Sequence, residues 1–172
     1  MFPLTNLRDI MLQYTEPLIR IAYGYVKDLQ AAEDIVQEVF IKFYHQQSNY
    51  EERGELKAFL TKMTVNKSKD YLKSWAYKKI QLHHKLFLLE GKKHVDELVR
   101  KDERSLIGDA ILELPLKQRE VLIHFYFNES SITEIAHILS IPESTVKTRL
   151  SRGRELLKGQ LEGIEWEVLL NE

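Results

Sequence analysis

The sequence predicts an all-α protein: two small helical domains joined by a flexible linker, the C-terminal one a four-helix domain carrying a helix-turn-helix. Three observations lead there. Apolar residues recur every three to four positions through both halves of the chain, and no stretch alternates as a strand would. Between the halves, Ile80 to Glu103 is charged and lacks one continuous apolar stripe. Within the second half, Ile132 to Lys158 reads as two short amphipathic helices around Leu139-Ser140-Ile141-Pro142. A length of 172 residues suffices for two small domains, each with a modest core.

In chain order, Leu7 to Lys27 is a predicted helix with Ile10, Met11, Tyr14, Leu18, Ile21, Ala22 and Tyr25 on its apolar face. Pro17 lies inside it and is expected to kink or split it at Thr15-Glu16, because proline lacks the amide donor and crowds the preceding turn. Asp28 can cap a second helix to about His45, with Ile35, Val39, Phe40 and Phe43 inward and Glu33, Asp34, Gln37, Glu38 and Lys42 outward. That acidic stripe is, on pattern alone, ordinary solvated surface. After a polar connection, Gln46 to Arg53, a third helix runs from Glu55 to about Lys79 through Leu56, Phe59, Leu60, Met63 and Leu72. Its exposed side mixes Lys62, Lys69 and Lys73 with Asn66 and Ser68, and Tyr71, Trp75 and Tyr77 interleave near its end. Aromatics among lysines stack on unpaired bases or pack in a core, and both readings stand. A partial helix around Leu82 to Leu89 is expected inside the linker; helices from Arg104 to Leu114 and from Leu116 to Phe127 follow, the latter with Val121, Leu122, Phe125 and Tyr126 inward.

The helix-turn-helix is well specified. Ser131 and Glu134 form a capping box before Ile135, Ala136, Ile138 and Leu139. Pro142 fits a first helical turn but cannot continue a helix, so the chain breaks near Ser140 and restarts around Glu143. Val146, Leu150 and Leu156-Leu157 give the second helix its buried stripe, leaving Ser144, Thr145, Lys147, Thr148, Ser151 and Arg152 opposite. Hydroxyls at the N-terminal end and cations further along suit a helix laid in the major groove.

Composition narrows the function classes. There is no cysteine, which excludes disulfides and cysteine-based zinc or redox chemistry and fits a reducing cytoplasm. The short apolar runs and the N-terminus MFPLTNLRD predict neither a membrane span nor a signal peptide. The formal charge of -1 is unevenly spread. Lys57 to Lys79 holds seven lysines against one acid, Asp70, and Lys147 to Lys158 five cations against one acid, Glu155, whereas Glu162 to Glu172 holds four acids and no cation. Two distant cationic segments predict two contacts with a polyanion. His83, His84 and His94 near Glu90, Asp96 and Glu97 match no metal-ligand spacing and read as solvated linker residues, so no metal or other cofactor is expected.

With both halves laid out, the chain resembles bacterial sigma factors of the extracytoplasmic-function type. The C-terminal motifs are Leu114-Pro115, Arg119-Glu120-Val121, Ile135-Ala136, Ile141-Pro142 and Ser144 to Arg154, in the family's order and spacing. In the N-terminal half, Ala32 to Phe40 is similar to the family's polymerase-binding helix, and Phe59-Leu60 through Val65-Asn66 to Asp70-Tyr71-Leu72 to its −10-reading helix. The resemblance implies a region 2 domain over 1–79, a linker over 80–103 and a region 4 domain with an acidic tail over 104–172. It implies that Asp34, Gln37, Glu38 and Lys42 hold the clamp coiled coil of core RNA polymerase. The −35 duplex would meet Ser144, Thr145, Lys147, Thr148, Ser151 and Arg152 in the groove, with Arg149 or Arg154 on phosphate. At the −10 element, Ser48, Asn49 and Tyr50 would wall a pocket for a flipped base while Lys62, Asn66, Lys69 and Lys73 hold the separated strand. No catalysis is implied for the chain itself, and an anti-sigma factor is the implied regulator.

Three departures stand out. Phe59 replaces a frequent tryptophan, Ser48-Asn49-Tyr50 replaces the commoner Asp-Ser-Phe type of loop, and Gly153, where alanine is usual, is followed by Gly159, so early fraying of the last helix is expected. A stand-alone helix-turn-helix regulator is the main alternative, and a helical enzyme using His83 and His84 a third reading.

Overall fold

The computed structural model describes residues 4–47, 50, 55–87 and 104–161. The described residues form eight α-helices and no strand: α1 Leu4–Val26, α2 Leu29–Gln46, α3 Leu56–Lys73, α4 Trp75–Phe87, α5 Arg104–Leu112, α6 Leu116–Leu122, α7 Ile132–Leu139 and α8 Glu143–Gln160. A π-helical turn, Ile123–Phe127, continues α6. The chain divides into two compact units, Met1–Lys93 with His137–Ser140, and His94–Ala136 with Ile141–Glu172.

In the first unit α1, α2 and α3 pack on one another around Leu18, Ile21, Ala22, Tyr25, Val36, Val39, Phe43, Leu60 and Val65. α1 runs unbroken through Pro17, contrary to the expected split. Pro17 and Gln13, the residue whose carbonyl loses its amide donor, are both exposed, so water can take the vacant acceptor while the buried side of α1 is unaffected. Met11, expected inside, is exposed, and Tyr14 is half-buried. Lys27 ends α1 at a positive φ of 56°, its amide donating to the Tyr23 carbonyl at 2.8 Å. Asp28 then caps α2 as expected, accepting from the Ala31 amide at 2.8 Å.

The third helix departs from expectation. It stops at Lys73, and a separate helix α4 begins at Trp75 and runs to Phe87, through the start of the expected linker. Ser74 makes the break: its extended backbone (ψ 154°) ends α3, its hydroxyl donates to the Tyr71 carbonyl at 2.6 Å, and the Tyr77 amide points back at its Oγ at 3.4 Å. Ser68, expected outward, is buried. The rest of the linker, 88–103, and the acidic tail, 162–172, lie outside the described residues.

In the second unit, the capping box forms reciprocally, with Ser131 N donating to Glu134 Oε2 at 2.7 Å and Glu134 N to Ser131 Oγ at 3.1 Å. α7 ends in a Schellman motif: Ile141 N bonds Ala136 O at 3.0 Å, Ser140 N bonds His137 O at 3.3 Å, and Ser140 takes φ 54°. Pro142 caps α8, accepting from the amides of Thr145 and Val146. The predicted helix to Phe127 widens after Leu122, where Asn128 N reaches back to Ile123 O at 3.2 Å. Ile123 and His124 are buried beside Val121 and Leu122, and Phe125 and Tyr126, expected inside, are only half-buried.

Candidate nucleic-acid interface

α8 is built from two faces. Val146, Leu150, Gly153 and Leu157 are buried, and α6 and α5 pack against the helix. Gly153 is a point of close approach, since a Cβ there would lie 2.8 Å from Leu122 Cδ1 and 3.2 Å from its Cγ. The helix runs to Gln160 through both glycines, past the point where fraying was expected. Opposite this face, Ser144, Lys147, Thr148, Ser151 and Arg152 are exposed together, and Thr145 is half-buried. The Thr148 hydroxyl donates to the Ser144 carbonyl at 2.9 Å, leaving its lone pairs and methyl outward. Arg152 sits 3.6 Å from Glu155 in a fully wetted pair that constrains it little.

The two candidates for phosphate contact, Arg149 and Arg154, are half-buried and each bonded within the domain. Arg149 Nη1 donates to Glu120 Oε1 of α6 at 3.0 Å, and the two side chains are 20% and 5% exposed. Arg154 Nε donates to Tyr126 Oη at 3.0 Å, and its guanidinium lies 5.3 Å from the Phe125 ring centroid and 5.9 Å from that of Tyr126. Helical spacing puts Arg149 beside Val146, Leu150 and Gly153, on the buried side of α8; Arg154 follows the π-turn that swings both rings toward it. Glu120 and Tyr126, absent from the sequence-based site, thus become part of its frame. The signal was available for Glu120, an acid adjoining the apolar Val121-Leu122.

In the first unit, Asn66 and Lys73 are exposed on α3, and Lys62 and Lys69 are half-buried. Tyr50 is not a free wall: its ring packs on Phe59 at 5.1 Å and Phe43 at 5.8 Å. Ser48 and Asn49 lie outside the described residues. Of the interleaved aromatics, Tyr71 and Tyr77 meet edge to face at 6.2 Å across the Ser74 break. Burial raises the Tyr71 phenol above its ordinary pKa, with Asp28, Tyr77 and Asp34 adding smaller pushes in that order.

On α2, Asp34, Gln37, Glu38 and Lys42 are exposed along one side, as expected. Asp34 accepts from Gln30 at 3.1 Å. Glu38 pairs with Lys67 of α3 at 2.6 Å in a solvent-exposed bridge that constrains it little. Sequence reasoning missed Ile41, 58% exposed, and Tyr44, also exposed. Both share the face of Asp34 and Gln37 at helical spacing, and together they make it amphipathic rather than merely acidic. His83 and His84 are exposed on α4, whereas Glu90, His94, Asp96 and Glu97 lie outside the described residues. Among the described residues no group of three potential ligands is placed to hold a metal ion, and no helix is long and apolar enough to cross a membrane.

These features define a helical DNA-binding protein with a helix-turn-helix over α7 and α8 and a lysine-rich helix α3. The family Sigma-70 region 2 matches residues 10–76 and the family Sigma-70, region 4 matches residues 104–157. The chain is 30% identical to the ECF RNA polymerase sigma factor SigW of Bacillus subtilis, covering 89% of this chain and 87% of that protein. It is 27% identical to SigM of the same organism, covering 87% and 91%. The chain therefore belongs to the extracytoplasmic-function RNA polymerase sigma factors. Two solved structures share its fold: the sigma factor RpoE of Bartonella quintana, in complex with the anti-sigma factor NepR (TM-score 0.74, 22% identity, 93% of this chain and 99% of that one), and CnrH with the cytosolic domain of CnrY (TM-score 0.64, 18% identity, 91% and 87%).

Proposed function

We propose that this chain is an alternative sigma factor that joins core RNA polymerase and directs promoter-specific initiation, with residues 1–79 binding polymerase and the −10 element and 104–172 reading the −35 element. The observation that carries this is the outward row Ser144, Lys147, Thr148, Ser151 and Arg152 on a helix whose other face is fully seated. A seated helix with hydroxyls and cations outward suits major-groove reading. Asp34, Gln37, Glu38 and Lys42, with Ile41 at their centre, serve the clamp coiled coil. Asn66, Lys73, Lys62 and Lys69 serve the opened −10 strand beside Ser48, Asn49 and Tyr50, Tyr50 acting by anchoring the loop end on Phe43 and Phe59. Nucleotide addition belongs to polymerase and none to this chain, which works in the cytoplasm. Regulation by an anti-sigma factor is supported by the structural neighbour RpoE, which was solved in complex with the anti-sigma factor NepR.

Run-off transcription from promoter-bearing fragments with core RNA polymerase, with and without the chain, tests the reading. Specific transcripts that require the chain are expected. Tight footprinting by the chain alone with no transcripts would favour the stand-alone helix-turn-helix regulator.

A further inference from the structure

We propose that Arg149 and Arg154 are positioning residues: they fix how α8 sits on α6 and the π-turn, and thereby set −35 selectivity, without contacting the DNA backbone. This rests on the sigma-factor reading above. Both arginines belong to the most cationic stretch of the chain, where charge alone would send them to phosphate. Their surroundings say otherwise. Arg149 ends on a carboxylate that is itself almost fully buried, at charge-assisted hydrogen-bond distance. Moving that guanidinium to a phosphate would give up a charge-assisted hydrogen bond inside the domain for one wetted contact. Arg154 is held by the Tyr126 hydroxyl and lies within cation-π reach of the Phe125 ring.

The three contacts act along one line. Gly153 allows α8 to lie directly on Leu122 and Gln118 of α6; Arg149 ties the helix one turn before that point and Arg154 ties it immediately after. A helix held at a contact point and on both sides of it has little freedom to roll. Roll is what matters, because Lys147, Thr148 and Ser151 reach base edges only over a narrow range of rotation. The inward arginines therefore supply orientation, and the outward Lys147 and Arg152 supply the charge.

The test is a double-mutant cycle on the full chain with core RNA polymerase, using Glu120→Gln, Arg149→Gln and both together. Transcription is measured from a responsive promoter and from the same promoter with its −35 element altered. With positioning, each single change lowers discrimination between the two templates by about tenfold, the scale of one lost base contact. The double variant is then no worse than either single one, because both remove the same tie. Arg149→Lys, which keeps a cation for Glu120, restores most of the discrimination at an unchanged melting temperature. Tyr126→Phe, which deletes only the acceptor of Arg154, loses discrimination in the same direction.

A phosphate role for Arg149 gives the opposite pattern. Arg149→Gln would then weaken both templates equally, and Glu120→Gln, which frees the arginine, would leave binding intact or strengthen it; either result overturns the proposal. If Arg149→Gln unfolds the domain, the comparison of Glu120→Gln with Arg149→Lys decides the matter alone. Failure of the wild-type chain to direct any transcript would instead overturn the sigma-factor reading itself.

Discussion

Two glycines on one helix should respond to the same substitution with opposite sign. Replacing glycine by alanine inside a helix stabilises it by about 0.5–1 kcal/mol through propensity alone. At Gly159 nothing lies within 4 Å of the added Cβ, so Gly159→Ala should show a gain with no steric cost, up to that size given its place in the last turn. At Gly153 the same Cβ would sit 2.8 Å from Leu122 Cδ1 and 3.2 Å from Cγ, and Leu122 is fully buried with no exposed direction to retreat. Overpacking of that kind costs about 1–3 kcal/mol. Set against the propensity gain, Gly153→Ala should be neutral to about 2 kcal/mol destabilising, a separation of roughly 1–3 kcal/mol between the variants. Amide hydrogen exchange over residues 143–160 in the intact chain reads this directly, since about 1.4 kcal/mol is a tenfold change in exchange rate when opening is pre-equilibrated. Trimming the obstacle with Leu122→Val should recover part of the loss in the Gly153→Ala background. Equal protection gains from the two alanines would refute the close seating of α8 on Leu122.

Ser131→Ala should destabilise the C-terminal unit by about 1 kcal/mol in urea titration, because it removes one half of a formed capping box; no change would mean that the box contributes nothing in solution. Lys147→Ala should weaken promoter binding by holoenzyme while leaving stability unchanged; if promoter affinity and −35 preference both survive, Lys147 does not face the DNA. Because the folded chain holds the Tyr71 proton more tightly than the unfolded chain, the linked stability is complete below about pH 10, the unfolded phenol value, and is lost as pH rises through the higher folded value. Ultraviolet titration of wild type against Tyr71→Phe should show this phenol ionising above that value, and ionisation at or below it would contradict its burial.

Much of the site was legible without coordinates because it is local. The capping box of Ser131 and Glu134, the cap at Asp28, the break near Ser140 and the restart at Glu143 all rest on groups within five residues of one another, so the sequence carries the interaction whole. The inward stripe of α2 and the outward row of α8 follow from helical period in the same way.

What failed was each inference in which tertiary packing competes with local chemistry. Pro17 reads as a break, yet helix packing holds α1 together because the proline faces water. Lys73-Ser74-Trp75 reads as continuing helix, yet Ser74 ends one helix and starts the next. The widening after Leu122 leaves no sequence mark, though it decides that Phe125 and Tyr126 meet Arg154. Gly153 reads as a weak point in a helix and is in fact where α8 touches α6. The sequence by itself determined the all-helical class, the family and the row of groups that faces outward, because period, caps and motif order are short-range properties. Only the tertiary structure decided which cations of that basic segment are bonded within the domain. A guanidinium's fate depends on the buried carboxylate or ring that meets it, and Glu120 and Tyr126 lie 29 and 28 residues away from the arginines they hold.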